Sequence, residues 1–358
     1  MSAAIDVRRC RYDEIPLVMD FIHRHWQAGH ALAVSRELMN WQHCAADGSC
    51  DFLIAVRGPT EILGVLGYIA SRRFDPALAA SNVMWLALWK VIEAAGVAGL
   101  GLRMLNVLAK LESHVTLAVN GINAAHPPMY KALRFQTGEL KRFYVTSPAA
   151  AFKLLQLTHG SMQGLLNTLP VPLFGRSRFT KMTAEDLAEL DASQIAVNAA
   201  NPKSPAYFAT RFLRHPFYHY RVFLIEGPDH GPALLATRNV QHENAKALRI
   251  VDFAGDPAAI ASMGSAISAL LHEEGAEFAD FWQLGLPDEY FASAGFTLLD
   301  PDGPVVLPAY FEPFNARNGR MLYALRTSAL GPAVICRADG DQDRPNRLPV
   351  QTLERQPA

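Results

Sequence analysis

Cysteine is scarce in this chain. The four residues Cys10, Cys44, Cys50 and Cys336 form no CxxC pair and no metal-ligand spacing. A disulfide framework and an ordinary zinc site are therefore not expected, and the thiols read as reduced or buried ones in a cytoplasmic protein. Charge of one sign is lacking too: 33 Lys and Arg stand against 34 Asp and Glu, so nucleic acid is not an expected main partner. The opening residues MSAAIDVRRCRYDEI lack the apolar core of a secretory leader. Long uninterrupted apolar runs are absent as well. The most apolar region, Trp85 to Ala109, is broken by Lys90, Glu93, Arg103 and several glycines, so no membrane span is expected.

What the chain does have is apolar bulk and one telling stretch. Half of its 358 residues are hydrophobic, enough for two domains of ordinary size. From Gly96 to Gly101 runs a Gly-x-x-Gly-x-Gly loop, and Leu100 to Leu108 carries apolar residues at helical spacing. A glycine-rich turn entering a helix presents unpaired N–H groups beside the positive end of the helix dipole, which suits a pyrophosphate. A Cβ there would hold the phosphate off the backbone. An apolar strand, His114 to Asn120, comes next, followed by Met129-Tyr130-Lys131-Ala132-Leu133-Arg134-Phe135. Taken in order, loop, helix, strand and Tyr-x-x-x-x-Phe segment resemble the acyl-CoA core of the GNAT acyltransferase superfamily. The competing account of the loop is a turn made only for packing.

The two halves also resemble each other. Phe52 to Pro59 followed by Val65 to Tyr68 reads as two strands and a turn, and Val222 to Pro228 followed by Leu234 to Thr237 repeats the layout. Tyr130 to Phe135 has a counterpart in Phe291 to Phe296. The resemblance then implies an α/β (α+β) fold of two tandem GNAT-like modules, each a mixed, mostly antiparallel sheet flanked by helices. Residues 1–150 read as the acyl-CoA-binding domain, 151–176 as a linker and 177–330 as a second, degenerate domain. A helix is expected over Ala149–Thr158 before the linker's LPVPLFG run. Residues 331–358, with Asp339-Gly340-Asp341-Gln342-Asp343-Arg344, read as an irregular or disordered tail. In place of the glycine loop the second module has Asp252-Phe253-Ala254-Gly255-Asp256-Pro257. Two carboxylates and a missing donor there argue against a second CoA site.

By that resemblance the co-substrate is acetyl-CoA or another short-chain acyl-CoA, cradled by the backbone of Gly96, Val97, Ala98, Gly99, Leu100 and Gly101. The family usually carries Arg or Gln where Gly96 stands, which removes side-chain help to the phosphate and leaves the backbone cradle. Tyr130 matches the family's general acid, a phenol suited to protonating a leaving thiolate; a packed helix tyrosine is the alternative. Asn120 and Asn123 match positions that contact pantetheine, or are turn residues. The strand from Val83 to Lys90 is expected to bulge and splay, with Trp85 or Trp89 either in the core or lining the slot. No side chain stands out as general base. Glu93 fits that role or that of a solvated loop carboxylate, and water is another route for the proton.

For the acceptor, His30, Trp41 and Gln42 belong to a His-Trp, Gly-His-Ala-Leu-Ala, Trp-Gln pattern that resembles tandem GNAT-type enzymes acting on nucleotide-linked amino sugars. A helix buried against the sheet is the plain alternative. His23-x-His25 lacks any partner at ligand spacing, so no metal is expected. In the second half Arg211 and Tyr218 belong to a run of cations and aromatics suited to a nucleotide diphosphate, or to a helix and edge strand packed in the core. Asp252, Asp280 and Trp282 are expected at strand ends facing a cleft. The resulting expectation is N-acylation of a small-molecule amine, a homodimer staying open. The rivals are an aminoacyl transferase, a small-amine acetyltransferase and a non-catalytic acyl-CoA sensor.

Overall fold

The computed structural model describes residues 4–45, 47–147, 151–167, 169 and 177–348. The chain opens with strand β1 (Ile5–Arg11) and helix α1 (Ile15–His25), which has Pro16 in its first turn. Ile15, Val18, Phe21 and Ile22 recur at three- and four-residue spacing and form the buried face of α1. Helix α2 (Arg36–His43) is capped by the Ser35 hydroxyl, which accepts from the Leu38 N–H at 3.1 Å. A meander of β2 (Ser49–Arg57), β3 (Glu61–Ala70) and β4 (Val83–Val91) follows. Residues Cys50 to Val56 are all buried, which explains the unbroken apolar run from Phe52 to Val56 in a strand covered on both faces. Helix α3 (Leu100–Leu111), β5 (Thr116–Asn120), α4 (Pro127–Ala132) and β6 (Gln136–Glu139) complete the first half.

Next comes β7 (Lys141–Thr146), and after it the second half repeats the first. Four strands, β8 (Arg178–Met182), β9 (Tyr220–Gly227), β10 (His230–His242) and β11 (Ala245–Gly255), form a meander. Helix α5 (Gly264–Glu274), β12 (Ala276–Leu284), α6 (Asp288–Ser293) and β13 (Thr297–Leu298) follow, and β14 (Leu322–Thr327) and β15 (Ile335–Cys336) come last.

Sheet order shows how the halves are joined. One sheet runs β1-β2-β3-β4-β5-β14-β6 and the other β13-β7-β12-β11-β10-β9-β8, with β15 on the end of β12. Within each, a single parallel pair (β4–β5 and β11–β12) closes an antiparallel meander. The seventh strand is traded. β7, from the first half, pairs β12, while β14, from the second half, pairs β5 and β6. Residues 141–146, placed by the sequence in the first module, thus lie in the second sheet. Residues 322–327, placed in the second module, lie in the first.

Two further expectations are corrected. No helix forms over the described residues 151–158; Gln156–Leu157 is a short strand instead. The Glu277 carboxylate accepts from the N–H groups of Lys153, Leu154 and Leu155, donors that a helix start would otherwise present, and Leu154 and Leu155 are buried. Of the linker motif, residues 170–176 lie outside the described residues. The described tail residues 331–348 are irregular apart from Ile335–Cys336, but they are packed rather than disordered. From Ala333 to Leu348 the tail runs between the halves, with Arg337, Asp339, Asp341 and Asp343 buried. Asp343 accepts from Arg238 at 2.9 Å, Asp339 pairs with Lys203 at 3.0 Å and Asp341 with Arg344 at 2.9 Å. Its charges are matched internally, and composition alone cannot register that. Residues 349–358 lie outside the described residues. No helix among the described residues is long and apolar enough to cross a membrane.

Candidate functional site

The site begins with a fault in the first sheet. Leu66 and Tyr68 of β3 stand opposite Trp89 and Leu86 of β4, so two steps on one strand meet three on the other and β4 bulges. β4 pairs with β5 only through Val83, Met84 and Trp85. Past Trp85 the strands part, and the gap between them opens a cavity of about 740 Å³.

At one end of the cavity stands the start of α3. Gly96 (φ 64°) and Gly99 (φ 74°) are left-handed, a backbone that side chains rarely adopt. Gly99 caps α3, and the first intrahelical bond runs from Arg103 N–H to Gly99 C=O at 2.9 Å. The N–H groups ahead of Arg103 are those that every helix start leaves unpaired. A Cβ on Gly101 would lie 3.2 Å from the Trp89 indole nitrogen, so glycine lets that ring lie against the helix start. Val97, Gly99, Leu100 and Gly101 line the cavity, while Gly96 and Ala98 of the same loop do not.

Tyr130 lines the same cavity, on α4, whose start is set by Pro127 and Pro128 after His126. Its ring makes edge contacts with Trp89 at 6.4 Å and Phe135 at 5.4 Å. Burial pushes the phenol up to about 12, so at neutral pH it keeps its proton. Asn123 also lines the cavity, and its Oδ1 accepts from the Ala125 N–H at 2.9 Å, closing the turn into α4.

Other sequence-predicted residues lie elsewhere. Asn120 is buried and turns away from the cavity: its Nδ2 donates to the carbonyls of Cys336 (3.2 Å) and Asp339 (3.1 Å). Trp85 is buried too, 3.5 Å from the position of a Cβ on Gly340. Of the two tryptophans it is Trp89 that lines the cavity. His30, 1% exposed, caps a short helical turn through Nδ1, which accepts from the Leu32 N–H at 3.3 Å. Gln42 is fully buried and bonds His43 at 2.9 Å. Trp41 packs between the halves, 4.3 Å from the His215 ring and under the Arg211 guanidinium.

The second half's residues are likewise engaged internally. Arg211 is buried and donates to the carbonyls of Ala338 and Gly340 at 3.1 and 2.8 Å, and Tyr218 bonds Glu312 beneath the Arg238 guanidinium. Asp280 lies between Arg142 and Arg249, while Trp282 packs under Arg142. Asp252 is fully buried against Lys203, and burial pushes it up to about 6; the Asp339 carboxylate on the same ammonium adds to the rise, while the Lys203 charge opposes it. With Cys336 these carboxylates lie within 4.8 Å of one another, but the Lys203 ammonium already fills the cation's place. None of these side chains faces an open cleft as the sequence led us to expect; only Trp282 touches a separate cavity of about 230 Å³.

Sequence reasoning missed His126 and Met129 in the cavity wall, and the C-terminal segment behind it, while Trp26, the Trp of the His-Trp element, lines the cavity. The Gln342 side chain occupies the space that a Cβ on Gly121 would need, and Gly121 lines the cavity. A stretch of alternating charges gives no sign of such a role.

No protein-family model and no curated protein matches the chain. Solved structures do resemble it. A GCN5-related N-acetyltransferase from Anabaena variabilis superposes with a TM-score of 0.52 at 9% identity, covering 90% of this chain and 73% of that one. A GCN5-related N-acetyltransferase from Kribbella flavida gives a TM-score of 0.47 at 12% identity over 91% and 71% of the two chains. The fold is that of the GCN5-related N-acetyltransferases, two mixed sheets flanked by helices along nearly the whole chain.

Proposed function

We propose that the protein is an acyl-CoA-dependent N-acyltransferase. The observation that carries this reading is the slot between β4 and β5, with a glycine-capped helix start at one end and a protonated tyrosine in its wall. The pyrophosphate of CoA would sit on the N–H groups of residues 97–101 and pantetheine would lie between the strands. The bulge in β4 would turn backbone N–H groups towards the thioester carbonyl as negative charge develops there. The amine nitrogen attacks the carbonyl carbon, the C–S bond breaks, Tyr130 gives its proton to the thiolate and water takes the proton from nitrogen. Among the described residues, only the first half offers this cradle. In the second, the Asp256 carboxylate occupies the equivalent turn and accepts from Gly231 N–H and Ala258 N–H.

The acceptor is a small-molecule amine, and in the finer reading a nucleotide-linked amino sugar in the cytoplasm. That finer reading rests on the sequence pattern around His30, Trp41 and Gln42, since His30 and Gln42 are packed inside and Trp41, though half-buried against a cavity, lies outside the slot. Mass spectrometry of products from a panel of acyl-CoAs against free amines, free amino sugars and their nucleotide-linked forms tests both levels. Acyl transfer to nucleotide-linked sugars above free ones is the expected result. Equal transfer to free amines removes the sugar nucleotide, and no transfer with any pair removes the enzyme.

A further inference from the structure

Outside the slot, the fold brings two cysteines together. Cys44 follows the last residue of α2 and Cys50 is the second residue of β2; the two face each other as an antiparallel bridge, and the Cys50 thiol bonds the Cys44 sulfur at 2.9 Å. Residues paired this way bring their Cβ atoms within the reach of a disulfide. The surroundings of the two sulfurs differ. Cys50 is fully buried, whereas Cys44 is partly exposed and lines a cavity of about 320 Å³ with Trp41, Arg72, Arg73 and the Asp47 carboxylate, which accepts from the Ser49 N–H. Arg73 is held by Asp51 at 2.8 Å, its side chain only 5% exposed, and its Nη2 has no partner. An unpaired, buried guanidinium donor beside a reachable thiol is an unsatisfied anion contact.

We infer that Cys44 and Cys50 form a redox-active dithiol whose oxidant is a small disulfide bearing carboxylates, with Cys44 as the attacking sulfur and Arg73 as the contact for the carboxylate. The Cys44 thiolate attacks one sulfur of the external disulfide, forming a mixed disulfide and releasing one thiolate. Cys50 then gives its proton to that thiolate and attacks the Cys44 sulfur, expelling the second thiolate, which takes a proton from water. Two electrons leave the protein dithiol and the external disulfide becomes two thiols. The hydrogen bond from Cys50 and the positive charges of Arg73 and Arg36 hold the Cys44 thiol below its ordinary value, which favours it as nucleophile. Burial pushes Cys10 up to about 12, and Cys336 also rises well above the usual range, so neither competes.

The test uses the intact chain. Both cysteines fall in one tryptic peptide, residues 37–57, so oxidation by glutathione disulfide should take two hydrogen atoms from that peptide while Cys10 and Cys336 alkylate as before. The cationic disulfide cystamine should do this more slowly, because it brings no carboxylate to the unpartnered Arg73 Nη2. In Cys50→Ser the reaction should stop with one glutathionyl group on Cys44. A 37–57 peptide that stays fully reduced under excess glutathione disulfide overturns the dithiol. Equal rates with cystamine overturn the anion contact. Neither readout on the wild-type chain depends on the variant folding.

Discussion

At the residue scale the assignment turns on Tyr130. A phenol serves as an acid only while it holds a proton, and burial against Trp89 and Phe135 ensures that at neutral pH. Its raised value does not disqualify it, because a thiolate formed against the same apolar wall is made more basic by the same loss of solvation. Its hydroxyl bonds no described residue, so the ring alone serves packing. In Tyr130→Phe we expect kcat to fall by roughly 10²–10⁴ with no change in Tm. The pair of measurements decides between roles: an unchanged kcat at unchanged Tm makes Tyr130 a packing residue, as the plainer reading of the sequence has it.

At the element scale the loop and α3 act together. The left-handed Gly99 lets the chain turn directly into the helix, and open space around it leaves its N–H neighbours accessible. A side chain at Gly99 costs about 1–2 kcal/mol in left-handed backbone, and a carboxylate adds charge where the pyrophosphate would lie. Isothermal calorimetry of the wild-type chain should show one CoA site. Gly99→Glu should show none, and Gly99→Asn, which tolerates the left-handed region, should bind weakly. A wild-type stoichiometry of two would mean that the Asp256 turn also takes CoA. Undiminished binding by Gly99→Glu would place the phosphates elsewhere.

At the scale of the whole molecule, the exchange of β7 and β14 means that neither sheet is complete without the other half, and the C-terminal segment fills the seam between them. Three histidines in or beside that seam are held neutral. Burial pushes His30 and His215 down to about 3 and His43 well below its ordinary value. In the unfolded chain each takes up a proton as pH falls through about 6.5, so the unfolded state binds more protons and stability drops between that value and about 3. Asp252, pushed up to about 6, and Asp51, also raised by burial, work the other way over part of the same range. Three protons outweigh two. Urea midpoints should therefore fall from pH 7.5 to pH 5, the unfolding free energy approaching a slope of about 1.4 kcal/mol per pH unit for each net proton. His215→Asn keeps an acceptor for the N–H groups of Phe217 and Tyr218 and removes the titrating ring, so it should flatten that slope. A midpoint independent of pH, or one that rises, would show that the seam holds these rings charged.

Local pattern was enough for the elements that carry the proposed cofactor site. The glycine run, the apolar spacing of Leu100 to Leu108, the strand before Asn120 and the prolines before Tyr130 are signals written within a few residues of the structures they form. The repeated meanders were legible for the same reason. Sequence could not show where a polar residue finds its partner. Asp343 meets Arg238 across 105 positions of chain and Asn120 meets Asp339 across 219, so the tail read as irregular or disordered and Asn120 as a ligand contact or a turn residue. The burial of Arg211, Asp252 and Trp282, the exchange of β7 and β14, and the pairing of Cys44 with Cys50 are likewise products of how the two sheets close on one another. Side-chain chemistry is local, but whether a charge meets solvent, a ligand or a buried counter-charge depends on contacts between distant segments, and only the tertiary structure decides it.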